Sequence, residues 1–326
     1  MSYGFLQREK ANTVRMIREA PMRIEKSNHS LDRLGKRIDA VIAERPSHKE
    51  ILEFLKGVMT EQYMIRSKVK TVPVEIDEEK VKGLAQGSSL VGRKDLSLDM
   101  ASATELFERL CKVLSRSKKA SGDVKRINQA LRGKDLNLSD LFEHRGSENC
   151  EYISAFSEKL RVGEDLLSFL ARNSIKPVFE AYANELKGYV DQELWWRGYC
   201  PICGSAPFIA ELREEGERFL VCSACSFEWR FMRLRCPFCG NGDHKGLRYF
   251  YTENEKANRV DVCEKCKRYI KTVDTREIGG EVIPLVEDMG TLYLDVIAQK
   301  EGYTREGNTI APMALSTVFP SRDTSP

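Results

Sequence analysis

The chain has 326 residues, 41% of them hydrophobic, and its length favours two or three domains. With 31% charged residues, the composition is neither that of a disordered chain nor that of a membrane protein. The 52 Lys and Arg residues nearly balance the 49 Asp and Glu residues, so the formal net charge of +3 gives no support to a polyanion-binding protein. The unusual feature is the presence of ten cysteines.

The beginning of the chain bears on the compartment in which these cysteines function. Residues 1–21 mix charged and apolar residues and contain no apolar stretch typical of a secretory signal. No run of about 18 apolar residues occurs, so we predict no membrane span. We therefore expect a cytoplasmic protein, in which a reducing environment favours metal or redox chemistry over structural disulfides.

The first part of the chain, residues 1–196, is predicted to be all helical. Apolar residues recur at helical spacing in several segments, for example Leu31, Leu34 and Ile38. The segments 47–50 and 102–105 each have the pattern of a capping box at a helix start. Residues 71–98 contain three glycines and little periodicity, and are predicted to form a long loop.

The pattern changes after Trp195 and Trp196, which we expect to pack the two parts of the protein together. Short alternating segments separated by polar turns then predict β-hairpins, at residues 208–212, 218–221, 247–251 and 259–262. Residues 291–298 predict a helix, and the Ser-, Thr- and Pro-containing tail from residue 308 is expected to be frayed.

An internal repeat contains eight of the ten cysteines. The segment Cys200-Pro-Ile-Cys203-Gly204 matches Cys236-Pro-Phe-Cys239-Gly240, and a second Cys-x-x-Cys pair follows in each copy. The second copy is five residues longer, which predicts a longer hairpin turn. We therefore expect two consecutive ribbons, each with two cysteine pairs.

Cysteine pairs at this spacing are typical of metal sites. Two Cys-x-x-Cys knuckles at the ends of one hairpin supply four thiolates in a tetrahedron, as in structural zinc sites and rubredoxin-type iron sites. Ten cysteines placed at random in 326 residues would form roughly 0.3 such pairs, and four are present. The predicted ligands are Cys200, Cys203, Cys222, Cys225, Cys236, Cys239, Cys263 and Cys266.

The predicted sites suggest metal binding without catalysis. A closed four-cysteine site leaves no coordination position for a substrate, and the sequence contains no recognisable catalytic or nucleotide-binding motif. We predict two metal ions, iron or zinc, and no enzyme activity. Cys111 is expected to be a buried core residue, Cys150 has no nearby partner, and His244 is expected to be a solvated turn residue.

The ribbons also show a resemblance to a known family. The segments 197–205, 218–229, 263–271 and 287–295 together resemble the FdhE family of formate dehydrogenase accessory proteins. The block that they span includes the four knuckles, the pair Glu228-Trp229 and the segment Asp288-Met-Gly-Thr-Leu292. This block covers about 100 residues, and the helical part carries no sharp motif of the family.

The resemblance implies an α+β multidomain protein: a helical domain, two tandem rubredoxin-like or zinc-ribbon modules with four cysteines each, and a C-terminal helix. We place the boundaries at 1–196, 197–234, 235–280 and 281–326. The resemblance also implies a cytoplasmic assembly factor that binds the catalytic subunit of a formate dehydrogenase and is needed for the activity of that enzyme. The cysteine sites of such proteins are expected to hold iron as rubredoxin does.

Two other functions remain open at the level of sequence. Zinc ribbons often bind nucleic acid, and Arg230, Arg233 and Arg235 are expected on one strand. Residues 201–326, however, carry 17 Lys and Arg against 19 Asp and Glu, so we expect no nucleic-acid partner. The other alternative is a redox protein that transfers single electrons through rubredoxin-type iron.

Overall fold

The computed structural model of the chain describes residues 27–143, 151–252 and 255–306. The start of the chain, Cys150 and the tail from residue 308 lie outside this range. Within the described residues, no helix is both long enough and apolar enough to cross a bilayer.

The N-terminal part is helical, as predicted. Its helices are α1 (Ser27–Glu44), α2 (Lys49–Arg66), α3 (Glu78–Gln86), α4 (Met100–Leu114), α5 (Ser121–Arg132), α6 (Leu138–Glu143), α7 (Glu151–Leu160) and α8 (Glu164–Leu186). Helix α8 is buried along most of its length and packs against α2, α4, α6 and α7. It is therefore the central helix of the bundle.

Both predicted capping boxes were wrong. Pro46 begins a 3-10 turn over Pro46–His48, so α2 starts at Lys49 without a side-chain cap. Helix α4 starts two residues before the predicted cap, because the Asp99 carboxylate accepts a hydrogen bond from the Ser102 N–H. Helix α2 therefore begins two residues after Ser47, whereas α4 begins two residues before Ser102.

The predicted long loop at 71–98 was also wrong in part, because it contains α3. Asp77 caps this helix by accepting a hydrogen bond from the Lys80 N–H, and Gly87 ends it in the left-handed region at φ 95°. None of its residues is buried. The limits of this short helix are therefore set by its caps more than by a buried face.

The C-terminal part is built around a sheet. Its strands are β1 (Pro207–Arg213), β2 (Glu217–Cys222), β3 (Glu228–Phe231), β4 (Leu247–Phe250), β5 (Asn258–Cys263), β6 (Arg268–Asp274) and β7 (Thr304–Arg305). The four predicted hairpin segments correspond to β1, β2, β4 and β5. The connection between β4 and β5 is longer than the turn between β1 and β2, as the repeat predicts.

The two ribbons share one sheet. Each contributes three antiparallel strands, and the order β3-β2-β1-β6-β5-β4 is completed by parallel pairing of β1 with β6. In this pairing Ile209 lies opposite Lys271, and Leu212 lies opposite Asp274. The predicted tandem modules are therefore joined edge to edge rather than connected only by the chain.

Two C-terminal helices complete the fold. The predicted helix at 291–298 is α10 (Leu292–Lys300), and it is preceded by α9 (Pro284–Gly290). Helix α9 packs against α1 and α2, and a Cβ at Gly290 would lie only 2.7 Å from the Val41 side chain. This glycine allows α9 to approach α1 closely.

The largest apolar core extends from the helices into the first ribbon. It includes Leu106, Phe107 and Leu170 from the helices, together with Leu220 and Trp229 from β2 and β3. Trp195 is 2% exposed in the same core, as expected of a residue at the junction of the two parts. The predicted order of a helical region, two four-cysteine ribbons and C-terminal helices is confirmed, and the domain boundaries stay a prediction.

Candidate metal centres

The first cysteine cluster is formed at the end of the sheet where β1 begins and β2 ends. Cys200 and Cys203 precede β1, while Cys222 ends β2 and Cys225 follows it. The Sγ atoms of Cys203 and Cys222 lie 3.5 Å apart, and those of Cys200 and Cys225 lie 3.6 Å apart. The four cysteines are 0–4% exposed.

The second cluster repeats this arrangement at the other ribbon. The Sγ atoms of Cys236 and Cys266 lie 3.7 Å apart, and those of Cys239 and Cys263 also lie 3.7 Å apart. Cys236 and Cys263 are buried, but Cys239 is exposed and Cys266 is half-buried. The structure thus brings the eight predicted residues together as two groups of four.

The sulfur positions fit a tetrahedral metal ion. A metal–sulfur bond of about 2.3 Å requires about 3.8 Å between sulfurs at the corners of a tetrahedron. The observed separations of 3.5–3.7 Å are close to this value, and all four sulfurs of each cluster lie within 4.8 Å of one another. Each cluster could therefore hold one metal ion.

The local backbone explains why these sequences form knuckles. In the first, the Gly204 N–H donates to the Cys200 carbonyl, and in the second the Gly240 N–H donates to the Cys236 carbonyl. Both glycines have φ 70°, which L-residues rarely adopt. The sequence repeat Cys-Pro-x-Cys-Gly is therefore also a repeat of backbone conformation.

The thiols of each cluster influence one another's protonation. Burial raises the pKa of Cys200, whereas hydrogen bonds with the other three thiols lower the pKa of Cys203. Burial would also raise the pKa of Cys263, but the N–H groups of Cys266 and Lys265 and the neighbouring thiols lower it to about 7. Four thiolates within 4.8 Å of one another repel, and a bound cation would offset this repulsion.

A segment of the helical part covers the first cluster. The Leu90 and Val91 N–H groups donate to the Pro201 and Ile202 carbonyls, at 2.8 and 3.0 Å. The side chain of Ser89 lies against Gly204, where a Cβ would be 3.2 Å from Ser89 Oγ. These residues belong to the segment predicted as a featureless loop, and no pattern in the sequence associates them with a cysteine.

The two ribbons contact each other beside their knuckles. A Cβ at Gly198 would lie 1.7 Å from the Pro237 carbonyl oxygen, so the segment leading to Cys200 lies against the second knuckle. Arg218 of β2 is 3% exposed and donates at 3.1 Å to the Arg235 carbonyl, next to Cys236. The first ribbon therefore helps to position the second cluster.

Buried charged side chains form a network between β6 and the C-terminal helices. Lys271 Nζ on β6 is 2.6 Å from Asp295 Oδ2 and 2.8 Å from Asp288 Oδ1, and Arg305 pairs with both carboxylates. These cations hold the pKa of Asp288 below its usual value although burial would raise it. The neighbouring Glu287 instead binds Arg37 of α1. In the sequence, the segment 287–295 is distinguished only by family resemblance, and nothing there predicts this network.

The remaining residues of interest do not join the clusters. Cys111 is 2% exposed in α4, and burial raises its pKa to about 12, as suits a core residue. His244 starts a 3-10 turn with a side chain that is 79% exposed. Neither belongs to the two cysteine groups found among the described residues.

The expected strand of arginines was wrong. Only Arg230 lies on β3, and its guanidinium contacts Glu193, Glu217 and the Trp196 ring. Arg233 and Arg235 lie beyond the end of the strand. The three cations therefore do not form the row that motivated the nucleic-acid interpretation.

Comparisons with known proteins agree with this arrangement. Residues 199–233 match the family model "FdhE, central domain" and residues 234–311 match "FdhE, C-terminal domain". The first match contains the first cluster and the second match contains the second cluster.

Individual relatives extend the similarity into the helical part. A protein FdhE homolog of Aquifex aeolicus is 27% identical over 276 residues, which covers 82% of this chain and 90% of the relative. One from Actinobacillus pleuropneumoniae is 31% identical over 170 residues, covering 47% of this chain and 54% of the relative.

A solved structure shares the fold. The crystal structure of the FdhE protein from Pseudomonas aeruginosa matches with a TM-score of 0.55 and 19% identity, covering 86% of this chain and 95% of that chain. At this identity the match establishes the fold alone. The two domain matches and the relatives show that the chain is similar in sequence to FdhE proteins, over the ribbons and into the helical part.

Proposed function

We propose that the protein is a cytoplasmic assembly factor that binds the catalytic subunit of a formate dehydrogenase and is needed for its activity. The observation that carries this proposal is the coincidence of the two FdhE domains with the two four-cysteine clusters. The resemblance of the ribbons to formate dehydrogenase accessory proteins supplies the partner.

We further propose that the eight cysteines are metal ligands and that the metal is iron or zinc. The bound ion would hold the two knuckles of each ribbon together, which is the role of metal in closed four-thiolate sites. Since four cysteines complete the coordination shell, we expect no substrate chemistry at either centre. The division into domains at 197, 235 and 281 belongs to the same proposal.

The partner is tested by co-purification. A tagged copy of the full chain, purified without oxygen from cells that express a formate dehydrogenase, should retain the catalytic subunit of that enzyme. Deletion of the gene should abolish formate dehydrogenase activity, and the wild-type copy should restore it. An unchanged activity in the deletion strain, with no complex, would contradict the proposal.

The metal is tested by elemental analysis of the same preparation. Two equivalents of iron or zinc per chain are expected. A variant in which Cys222 and Cys263 are both replaced by serine should lose both ions, whereas Cys111→Ser should retain them because Cys111 lies in neither cluster.

Single-electron transfer is a second candidate, and the exposure of the second cluster favours it. An electron-transfer site must lie near the surface, and Cys239 is exposed. Iron-loaded protein would then show the visible absorbance of ferric thiolate and lose it on reduction. Zinc at both centres would rule out this function.

A further inference from the structure

We propose that the two centres differ in metal exchange: the second is the exchangeable one, reached through Cys239 and Cys266, while the first is closed and retains its metal. This inference rests on the proposed metal ligation and adds a division of roles between the centres. It identifies the face at which a soft, thiolate-bearing chelator or protein would exchange metal with this chain.

The exposure of the ligands is the first observation. Every cysteine of the first cluster is buried, whereas Cys239 is exposed and Cys266 is half-buried. Cys236 and Cys263 are 3% and 2% exposed and form the inner side of the second cluster. Solvent therefore reaches one side of the second cluster and no sulfur of the first is comparably open.

The sequence repeat provides an internal control for this difference. Gly204 and Gly240 occupy the same position after their knuckles and have the same φ of 70°. A Cβ at Gly204 would meet Ser89, but within the described part of the chain a Cβ at Gly240 would meet nothing within 4 Å. The two knuckles have the same conformation, so the difference lies in what covers them.

The cover of the first centre is held by several contacts. Besides the hydrogen bonds from Leu90 and Val91, the Tyr199 hydroxyl donates to the Gly87 carbonyl at the start of the covering segment. On another side, the Ser226 hydroxyl, next to Cys225, donates at 2.8 Å to the Glu180 carboxylate of α8. Exposing the first centre therefore requires local unfolding of packed structure.

Exchange at a four-thiolate site is a substitution. One cysteine sulfur releases the metal as a sulfur or nitrogen atom of the incoming ligand binds it, and no electron is transferred. The incoming ligand must reach the metal from the side of the departing cysteine. At the second centre, Cys239 and Cys266 would move into solvent, while the buried Cys236 and Cys263 would continue to hold the ion.

The experiment follows zinc release and thiol labelling together. The full chain is reduced, loaded with two equivalents of Zn²⁺ without oxygen, and challenged with excess chelator. Zinc release is recorded over time. Samples are quenched with N-ethylmaleimide, and peptide mass spectrometry reports which cysteines have been alkylated.

We expect two phases. The zinc ion of the second centre should leave at least about tenfold faster than that of the first, because release from the first centre must wait for local unfolding. Cys239 and Cys266 should be alkylated in the fast phase, and the four cysteines of the first cluster only in the slow phase. Equal release rates, or earlier labelling of the first cluster, would overturn the inference while leaving metal ligation intact. A chain that binds no zinc would instead contradict the ligation itself.

A variant pair tests whether the cover causes the difference. Leu90 is 2% exposed, and Leu90→Ala should loosen the cover and speed the slow phase severalfold without changing the fast phase. Leu234→Ala is the control, since Leu234 is 70% exposed and lies two residues before Cys236. A slow phase unchanged by Leu90→Ala would refute the role of the cover. Should this variant not fold, the wild-type labelling order still decides the inference.

Discussion

The two ribbons have the same cysteine spacing in their knuckles, but they are attached to the protein in different ways. The first is part of the apolar core that it shares with the helices, and Leu220 and Trp229 lie within that core. The second has a smaller apolar cluster that includes Val260 and Tyr269, and ion pairs connect it to the C-terminal helices. A metal knuckle is thus a local motif, whereas its accessibility depends on how the module is attached.

This difference has an energetic consequence. Apolar burial is non-directional, so the loss of one side chain removes only its share of the contact area. A buried ion pair depends on both partners, because the partner that remains is a charge without compensation. We therefore expect the attachment of the second ribbon to be sensitive to single charge changes.

The largest effect is expected for Lys271→Met. Lys271 is 1% exposed and its removal would leave Asp288 and Asp295 with less compensation for their charge. The free energy of unfolding should fall by about 3–5 kcal/mol, measured by urea denaturation. Lys300→Met, on an exposed position of α10, is the control and should change it by less than about 0.5 kcal/mol. Equal stabilities of the two variants would show that the network does not attach the second ribbon.

Gly198→Ala should separate the two knuckles. Its Cβ would overlap the Pro237 carbonyl oxygen, which is backbone and cannot rotate away. We expect a loss of about 3 kcal/mol in the free energy of unfolding. Gly279→Ala is the matched control, because a Cβ there would meet nothing within 4 Å among the described residues. A near-neutral Gly198→Ala would mean that the ribbons do not depend on this contact.

The matched variants Cys203→Ser and Cys239→Ser compare the two clusters directly. Both replace the second cysteine of a knuckle, but Cys203 lies in the main core and Cys239 is exposed. If both cysteines bind metal, Cys203→Ser should lower the free energy of unfolding by about 2 kcal/mol more than Cys239→Ser, since it also buries a polar group in the core. Thermal unfolding of the zinc-loaded proteins measures the difference. A larger loss of stability for Cys239→Ser than for Cys203→Ser would contradict the comparison.

The smallest effect concerns pH at the junction of the N-terminal and C-terminal helices. Burial lowers the pKa of His48, and the positive charges of Arg45 and Lys271 lower it further. The His48 ring lies edge-on to the Tyr293 ring. In the unfolded chain His48 has its ordinary pKa of about 6.5, so it binds a proton there more readily than in the folded chain. Protonation of His48 therefore lowers the free energy of unfolding as the pH drops below about 6.5. His48→Gln should reduce that loss by less than about 1 kcal/mol, since the ring is partly solvated.

Urea unfolding of wild type and His48→Gln at about pH 7.5 and about pH 5.5, on either side of the ordinary histidine pKa, measures this contribution. Both proteins contain the same cysteine clusters, so any protonation of thiols cancels in the difference. An identical pH dependence in the two proteins would show that His48 does not contribute.

Much of the site was predictable because its determinants are local. The spacing of Cys200 and Cys203 and the glycine that follows them define a knuckle within five residues, and the repeat identifies its counterpart. The hairpin strands were likewise predictable, since alternation of apolar residues reflects burial on one face of a sheet. The structure places the eight predicted cysteines in the two expected groups.

Other features were not predictable because they join distant parts of the chain. The pairing of β1 with β6 brings Ile209 opposite Lys271, and the pair Arg37–Glu287 spans 250 positions. Helix α3 was missed for a different reason, since it is only nine residues long and buries no residue completely. Its caps, Asp77 and Gly87, were the signals that could have identified it.

The sequence by itself determined the order of helical and ribbon parts, the four knuckles and the pairing of cysteines into two groups of four. These properties follow from backbone preferences and spacing within short segments. Only the tertiary structure decided that Leu90 and Val91 cover one cluster and that Cys239 of the other is exposed. The physical reason is that burial depends on every segment packed around a residue, and two knuckles with the same backbone conformation can have different neighbours.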